Sequence, residues 1–179
     1  QPFYSSLTGV LFCVGGRGGS GDPFRSIECY SISKNSWFFG PEMNSRRRHV
    51  GVISVGYVYA VGGNEGVASL SSVERFDPRT DHWEYVAELT TPRGGVGVAT
   101  VMGRVFAVGG HNGNIYLNTV EAFEPRMNRI SLFVCVCTRW EMVGSVSHCR
   151  AGAGVAVCST HISQIRDVGQ GSSNVADCM

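Results

Sequence analysis

Three arginines of the chain recur at one register, in front of glycine-rich segments. Arg47, Arg93 and Arg150 each stand four residues before a glycine of the segment that follows. A guanidinium is a permanently charged, planar donor whose N–H groups match the two oxygens of a carboxylate. This register fits a surface that binds acidic or polar segments. It fits equally well arginines that satisfy carbonyl groups and brace neighbouring repeat units. Arg46 and Arg48, beside Arg47, are expected to be solvated.

Residue types suited to catalysis do not recur at a fixed spacing in this way. The five histidines are isolated in sequence and lack the spacing of paired metal ligands. There is no GxSxG elbow, no HExxH pair and no P-loop. The glycine-rich run at 15–21 follows one strand and precedes another, so no helix N-terminus is available to a phosphate. The sequence therefore predicts neither an enzyme nor a metal or cofactor site.

The arginines belong to a longer repeat that is marked by glycine pairs. The segment 57–63 reads YVYAVGG, an earlier copy at 10–16 reads VLFCVGG, and a later copy at 104–110 reads RVFAVGG. Successive pairs lie 47 residues apart. A β-rich unit that repeats at this spacing is typical of propeller blades and similar arrays.

Each repeat predicts four short antiparallel strands. After the glycine pair come a polar loop and a strand in which a hydrophobic residue (Ile27, Val73 or Val120) and a glutamate alternate between the two faces. A polar turn leads to a third strand that a tryptophan opens. The tryptophans at 37, 83 and 140 are expected to pack between neighbouring units.

The fourth strand of the pattern is rich in glycine and valine. It reads HVGVISV, GVGVATV and AGAGVAV, the last copy covering 151–157. Innermost strands of a radial array crowd around the axis, where glycine permits close approach of backbones. Each such strand is expected to form a hairpin with the glycine-pair strand that follows it.

Composition excludes several classes of partner. The chain has 179 residues, 24 glycines and a formal charge of +1, which argues against a nucleic-acid groove or an anionic membrane surface. The seven cysteines show no CxxC pair, and several lie at apolar strand positions. We therefore expect reduced thiols and a cytoplasmic protein.

The glycine pair, the aromatic residue and acid of the second strand and the trailing tryptophan together resemble the kelch repeat. The resemblance extends over residues 9–159. It implies an all-β, kelch-type β-propeller, and it is closest to the BTB-kelch adaptors. Members of that family carry BTB and BACK domains and a six-bladed propeller, and they present substrates to cullin-RING ubiquitin ligases.

The chain departs from that family pattern. It carries about three four-stranded blades, with flanking segments 1–8 and 160–179 and no BTB or BACK segment. The apolar segment 130–139, ISLFVCVCTR, displaces Trp140 from the repeat register and is expected to be an insert. Because propellers usually have four to eight blades, three units predict an open fan with exposed faces that is marginally stable, oligomeric or prone to aggregate.

Protein recognition is the function that the resemblance implies. Substrate contacts are expected from one side of the propeller, through residues Arg47, Arg93, Arg150, Asn64, His111, Asn112, Asn114 and Tyr116. Replacing the three arginines by alanine is then expected to weaken substrate capture without unfolding. The substrate would be a protein with an acidic or polar segment, and a cullin would be reached only through a BTB domain. The alternatives are an actin-associated kelch scaffold and a truncated isoform without activity of its own.

Overall fold

A computed structural model describes residues 9–125 and 139–158. The flanking segments 1–8 and 160–179, and residues 130–138 of the expected insert, lie outside the described residues. All elements within the described ranges are strands. No described helix has the length and apolar character to cross a membrane.

The strands form three antiparallel sheets, which we call the first, middle and third units. Neighbours in sequence are neighbours in each sheet. The first unit contains β1 (Val10–Val14), β2 (Ile27–Ser31) and β3 (Ser36–Gly40). The middle unit contains β4 (Gly51–Val55), β5 (Tyr57–Val61), β6 (Val73–Asp77) and β7 (His82–Val86). The third unit contains β8 (Gly97–Val101), β9 (Arg104–Val108), β10 (Thr119–Phe123) and β11 (Glu141–Ser145). The predicted all-β architecture with repeated antiparallel blades is confirmed.

Two hydrophobic layers hold the units together face to face. One layer joins the first and middle units and contains Ile27, Met43, Phe76 and Trp83. The other joins the middle and third units and includes Tyr59, Val73, Phe123 and Trp140. The alternation of β2, β6 and β10 between two faces is therefore the pattern that allows each unit to pack on two neighbours.

The tryptophans follow the predicted packing at two of three positions. Trp83 and Trp140 are buried, and each indole N–H donates to a carbonyl of the preceding unit, Pro41 O at 2.9 Å and Ala87 O at 3.0 Å. Trp37 is 55% exposed, so its predicted burial is wrong. No unit among the described residues covers that face of the first unit.

The predicted strand at 151–157 is also absent as a paired strand. Its counterparts β4 and β8 each pair with the next strand along the chain, and no such strand follows among the described residues. The segment nevertheless lies beside β8, because a Cβ on Gly97 would overlap Val155 Cγ2 and Ala153 O.

The glycine pairs have a steric reason in the fold. Gly62 adopts a φ of +59°, and a Cβ there would lie 2.5 Å from the Arg93 carbonyl oxygen. Gly15 and Gly109 meet the carbonyls of Arg47 and Arg150 in the same way. The turn and the close approach both require glycine.

The cysteines fulfil the expectation only in part. Cys29 is buried in the layer between the first and middle units, as a small hydrophobic residue would be. Cys149 is disulfide-bonded, which contradicts the expectation of reduced thiols throughout.

Candidate functional site

A cavity of about 680 Å³ opens where the glycine-rich ends of the units converge. Three stretches of the chain line it: 49–50, 94–96 and 151–154. Side chains from the loops after the glycine pairs complete the wall. They are Asn64, Ser69, His111 and Tyr116. The cavity therefore brings together three residues of the predicted binding set, Asn64, His111 and Tyr116.

A line of backbone hydrogen bonds shapes the floor of this cavity. Gly95 N donates to His49 O at 2.8 Å, and Gly152 N donates to Gly95 O at 2.7 Å. These three residues share one repeat register, and all have positive φ: 53° for His49, 68° for Gly95 and 70° for Gly152. His49 thus occupies a left-handed position that the other units assign to glycine.

His49 is a cavity residue that the sequence analysis did not single out. The sequence did carry a signal for it. His49 stands two residues after the recurring arginine, at the position that glycine occupies in the other two repeats. A non-glycine residue in the left-handed region carries a conformational cost and is a hint of function. Its exposed imidazole adds a polar group to the cavity wall.

The loop that follows β9 holds His111 and Tyr116 in contact. Their rings pack edge to face with centroids 4.7 Å apart. Gly113 N donates to His111 Nδ1 at 3.0 Å, so the neutral imidazole carries its proton on Nε2. Tyr116 is 52% exposed, which leaves an aromatic face and a hydroxyl available to a partner.

Asn64 takes part in holding its own loop. Its Oδ1 accepts from Gly66 N at 2.8 Å and from Arg48 Nε at 3.1 Å, and these bonds do not use its amide N–H donors. Arg48 also donates to Gly21 O and Gly66 O, so the expectation that it is solvated is wrong. Arg46 is exposed, as expected.

Asn112 and Asn114 lie beside the cavity rather than in its wall. Asn112 Oδ1 accepts from Asn114 N and from Ile115 N, both at 2.9 Å. This arrangement is an Asx turn that fixes the loop carrying Tyr116. Asn112 supports the loop, and Asn114 is exposed next to it.

Arg47 and Arg93 are fully buried between units. Arg47 Nη1 donates to Gly62 O at 2.7 Å and to Ser72 O at 2.8 Å, and Nη2 lies 2.9 Å from Glu74 Oε1. Arg93 repeats these bonds with Gly109 O, Thr119 O and Glu121. This geometry favours the bracing interpretation, because neither guanidinium has surface to offer a partner.

Arg150 has the same backbone position but an exposed side chain. Gly110 N donates to its carbonyl at 2.6 Å, as Gly63 N donates to the carbonyl of Arg93. The three arginines of one register therefore occupy two environments, two buried and one open.

The cavity lining is mixed in character. The imidazoles of His49 and His111, the Asn64 amide and the Ser69 and Tyr116 hydroxyls supply polar groups, and valine and alanine side chains at 50, 96, 151 and 153 add apolar surface. In the described part of the chain no three His, Cys, Asp or Glu side chains are grouped so as to hold a metal ion.

Comparison with known proteins gives consistent matches. The Kelch motif matches residues 5–44, 45–90 and 92–129. The chain is 84% identical over 71 residues to Kelch-like protein 8 of Mus musculus and 49% identical over 73 residues to Kelch-like protein 8 of Caenorhabditis elegans. These alignments cover 39% and 40% of this chain and 11% of each relative, so the chain spans a small part of their length.

Two further matches extend over more of the chain. Kelch repeat and BTB domain-containing protein 13 of Homo sapiens is 35% identical over 102 residues, which is 56% of this chain and 22% of that protein. The solved structure of YjhT superposes with a TM-score of 0.67 over 84% of this chain and 54% of that one, at 16% identity. The latter match supports the fold alone.

Proposed function

The chain belongs to the kelch-repeat family, and on that premise we propose that it recognises a partner protein through the cavity lined by His49, Asn64, His111 and Tyr116. The kelch motifs and the similarity to Kelch-like proteins support a protein-interaction module. The observation that carries the site is the convergence of loops from different units on one cavity that contains both polar and apolar groups. Loops on a rigid scaffold are where binding residues of repeat proteins lie.

The preferred ligand is a polar, extended segment of the partner. The walls offer donors from Asn64 and the imidazoles, acceptors from backbone carbonyls, and the Tyr116 ring as an apolar contact. Arg47 and Arg93 are buried in ion pairs and lend no free charge to the cavity. We therefore propose polar rather than strongly acidic recognition.

The wider role we propose is substrate recognition for a cullin-RING ubiquitin ligase. Its support is the similarity to Kelch-like protein 8 and to a human protein whose name includes a BTB domain. Ubiquitin transfer would come from other subunits, and this chain would supply only recognition. The same role would place it in the cytoplasm, where such ligases meet their substrates.

Selection of short peptides on the 179-residue chain tests the site. Peptides chosen from a displayed library should bind the wild-type chain and lose at least about tenfold in affinity with Tyr116→Ala, because exposed aromatic anchors dominate such contacts. Ile115→Ala is the matched control, since Ile115 is 51% exposed in the same loop but does not line the cavity. Equal losses for both variants would contradict the proposed site.

Abundance of the captured partner in cells tests the ligase role. The free chain should occupy the substrate without delivering it to a ligase, so the partner's level should rise when the chain is overexpressed. Tyr116→Ala should abolish the rise, and Ile115→Ala should not. Unchanged partner levels together with co-sedimentation on actin filaments would favour the scaffold instead.

A further inference from the structure

A second cavity, of about 640 Å³, lies between the loop that follows β1 in the first unit and the loop that follows β5 in the middle unit. We call it the arginine cleft, because Arg46 and Arg48, from the connection between β3 and β4, line it together with both loops. It is distinct from the cavity of the proposed function, although Arg48 also bonds Asn64 of that cavity.

Both guanidinium groups of the arginine cleft bind neutral oxygens of the first unit's loop. Arg46 Nη1 donates to Pro23 O at 3.3 Å, and Arg48 Nη1 donates to Gly21 O at 3.0 Å. Arg48 also donates to two acceptors in the loop of the middle unit. A guanidinium carries five N–H donors, of which Arg46 uses one and Arg48 three, so both keep donors for an anion.

Two carboxylates share the arginine cleft without neutralising these arginines. Asp22 and Glu65 line it and are exposed, and among the described residues neither carboxylate lies within ion-pair distance of Arg46 or Arg48. When Arg17 of the same loop is counted, three positive charges stand against two negative ones. The surroundings of the cleft therefore favour one further anion.

Ser20 supplies the hydroxyl group of the cleft lining. It is exposed in a tight turn in which Gly21 N donates to Gly18 O at 3.0 Å. Its Oγ accepts a long bond from Asp22 N at 3.4 Å. Because the next residue, Gly21, supplies the carbonyl that Arg48 binds, the Ser20 hydroxyl stands one residue from a guanidinium contact.

The sequence around Ser20 has the charge pattern of a protein-kinase substrate. The segment 17–23 reads RGGSGDP, and the arginine three residues before the serine is the feature that arginine-directed serine/threonine kinases select. No other arginine of the 179-residue sequence has a serine or threonine three residues after it. Since three of the four turn residues 18–21 are glycines, little buried structure has to open to present the hydroxyl.

We propose that Ser20 is a phosphorylation site and that Arg46 and Arg48 hold its phosphate. The donor is ATP on a protein kinase: the bond from the γ-phosphorus to the bridging oxygen of ATP breaks, and a bond from Ser20 Oγ to phosphorus forms. ADP leaves, and the hydroxyl proton passes to the base of the kinase. The product carries about −1.5 to −2 charges and three strong acceptor oxygens, which match the unused donors of the two arginines.

The phosphate strengthens a junction that already exists. Ser20 belongs to the loop of the first unit, and Arg48 is bonded to Gly66 O in the loop of the middle unit. Charge-assisted bonds from the phosphate to Arg48 therefore add a link across the two units, beside the buried ion pair of Arg47 and Glu74. This inference does not rest on the partner-binding role of the other cavity.

Treatment of the 179-residue chain with ATP and an arginine-directed serine/threonine kinase tests the modification. We expect one phosphate per chain, located on Ser20 by fragmentation mass spectrometry and absent from Ser20→Ala. Arg17→Gln should lower the rate at least about tenfold by removing the selected charge. Arg25→Gln is the matched control, because Arg25 is paired with Glu42 outside the motif, and it should leave the rate unchanged. A folded chain that is not modified on Ser20 would overturn the site.

Phosphorus-31 NMR of the chain carrying phosphoserine at position 20 tests which residues hold the phosphate. Neighbouring guanidinium groups favour the dianion, so the second pKa of the phosphate should fall below its ordinary value of about 6. Arg46→Gln combined with Arg48→Gln should return that pKa to its ordinary value, whereas Arg25→Gln should not. Asp22→Asn and Glu65→Gln should lower it further, because each removes a charge that repels the dianion. A pKa that the double arginine variant leaves unchanged contradicts the assignment of these arginines.

Urea denaturation reports the added link independently of titration. Phosphorylation of Ser20 should raise the urea midpoint of the wild-type chain, since the phosphate joins the two units only in the folded state. The same modification should leave the midpoint of the Arg46→Gln, Arg48→Gln chain unchanged. A midpoint that falls on phosphorylation, or that rises equally in both chains, would overturn the proposed link.

Discussion

Arg47 of the first unit and Glu74 of the middle unit form an ion pair, with Nη2 2.9 Å from Oε1, in which both side chains are fully buried. The carboxylate also accepts from Asn44 N at 2.6 Å and from Ser45 N at 3.0 Å. Arg93 and Glu121 repeat the pair at 3.0 Å between the next two units. Because the extra hydrogen bonds offset the cost of dehydrating both charges, the pair fixes the register of one unit on the next.

Arg47→Met is predicted to destabilise the fold strongly. The side chain of methionine fills much of the volume but leaves Glu74 buried without its counter-charge. Removing one partner of a buried pair costs about 3–5 kcal/mol of unfolding free energy. Urea denaturation followed by circular dichroism measures the loss.

Arg150→Met is the matched control for that prediction. Its guanidinium is exposed, so the change should stay within about 0.5 kcal/mol. Similar losses at both positions would contradict the structural role of the buried pair. The structure thus replaces the expectation that alanine at all three arginines leaves the fold intact, because two of them join the units.

The repeat register could be predicted from the sequence, but the role of the recurring arginines could not. Glycine pairs and alternating strands predicted the sheets because these features depend on local backbone and on period. Whether Arg93 meets a ligand or Glu121 depends on which face of the next unit lies against it. The glutamates recur at their own fixed register, and pairing the two registers would have identified the junction. Trp37 could not be placed, since its exposure depends on what covers the first unit.

Gly62→Ala is predicted to cost about 2–5 kcal/mol of unfolding free energy. The left-handed φ of +59° accounts for about 1–2 kcal/mol, and overlap with the Arg93 carbonyl adds a packing cost of about 1–3 kcal/mol. Gly103→Ala separates the two terms, because Gly103 has a φ of +78° but no neighbour within 4 Å of a Cβ. It should cost only about 1–2 kcal/mol. Equal melting temperatures for the two variants would refute the steric argument.

His49 is predicted to contribute to peptide binding while lowering the stability of the fold. At its φ of 53°, glycine should leave the unfolding free energy equal or higher by up to about 1 kcal/mol, and valine should lower it, because β-branched residues fit the left-handed region poorly. Both His49→Gly and His49→Val should weaken the peptides selected on the wild-type cavity. A His49→Val variant more stable than wild type would contradict the left-handed conformation as the source of the cost. Unchanged peptide affinity in both variants would contradict a role of His49 in binding.

The turn between β6 and β7 is predicted to make the free energy of unfolding depend on pH in the acidic range. Hydrogen bonding from the Arg79 side chain, assisted by the Arg79 backbone N–H, lowers the pKa of Asp77 below its ordinary value. A carboxyl whose pKa is depressed in the folded state contributes stability that is fully present above its unfolded value of about 3.9. That contribution is lost as the pH falls through the folded-state pKa.

Urea denaturation at a series of pH values should therefore show Asp77→Asn less stable than wild type near neutrality, with the difference closing in acid. Arg79→Gln should reproduce the effect by removing the charged donor, and a difference that stays constant across the series would contradict this account of the turn.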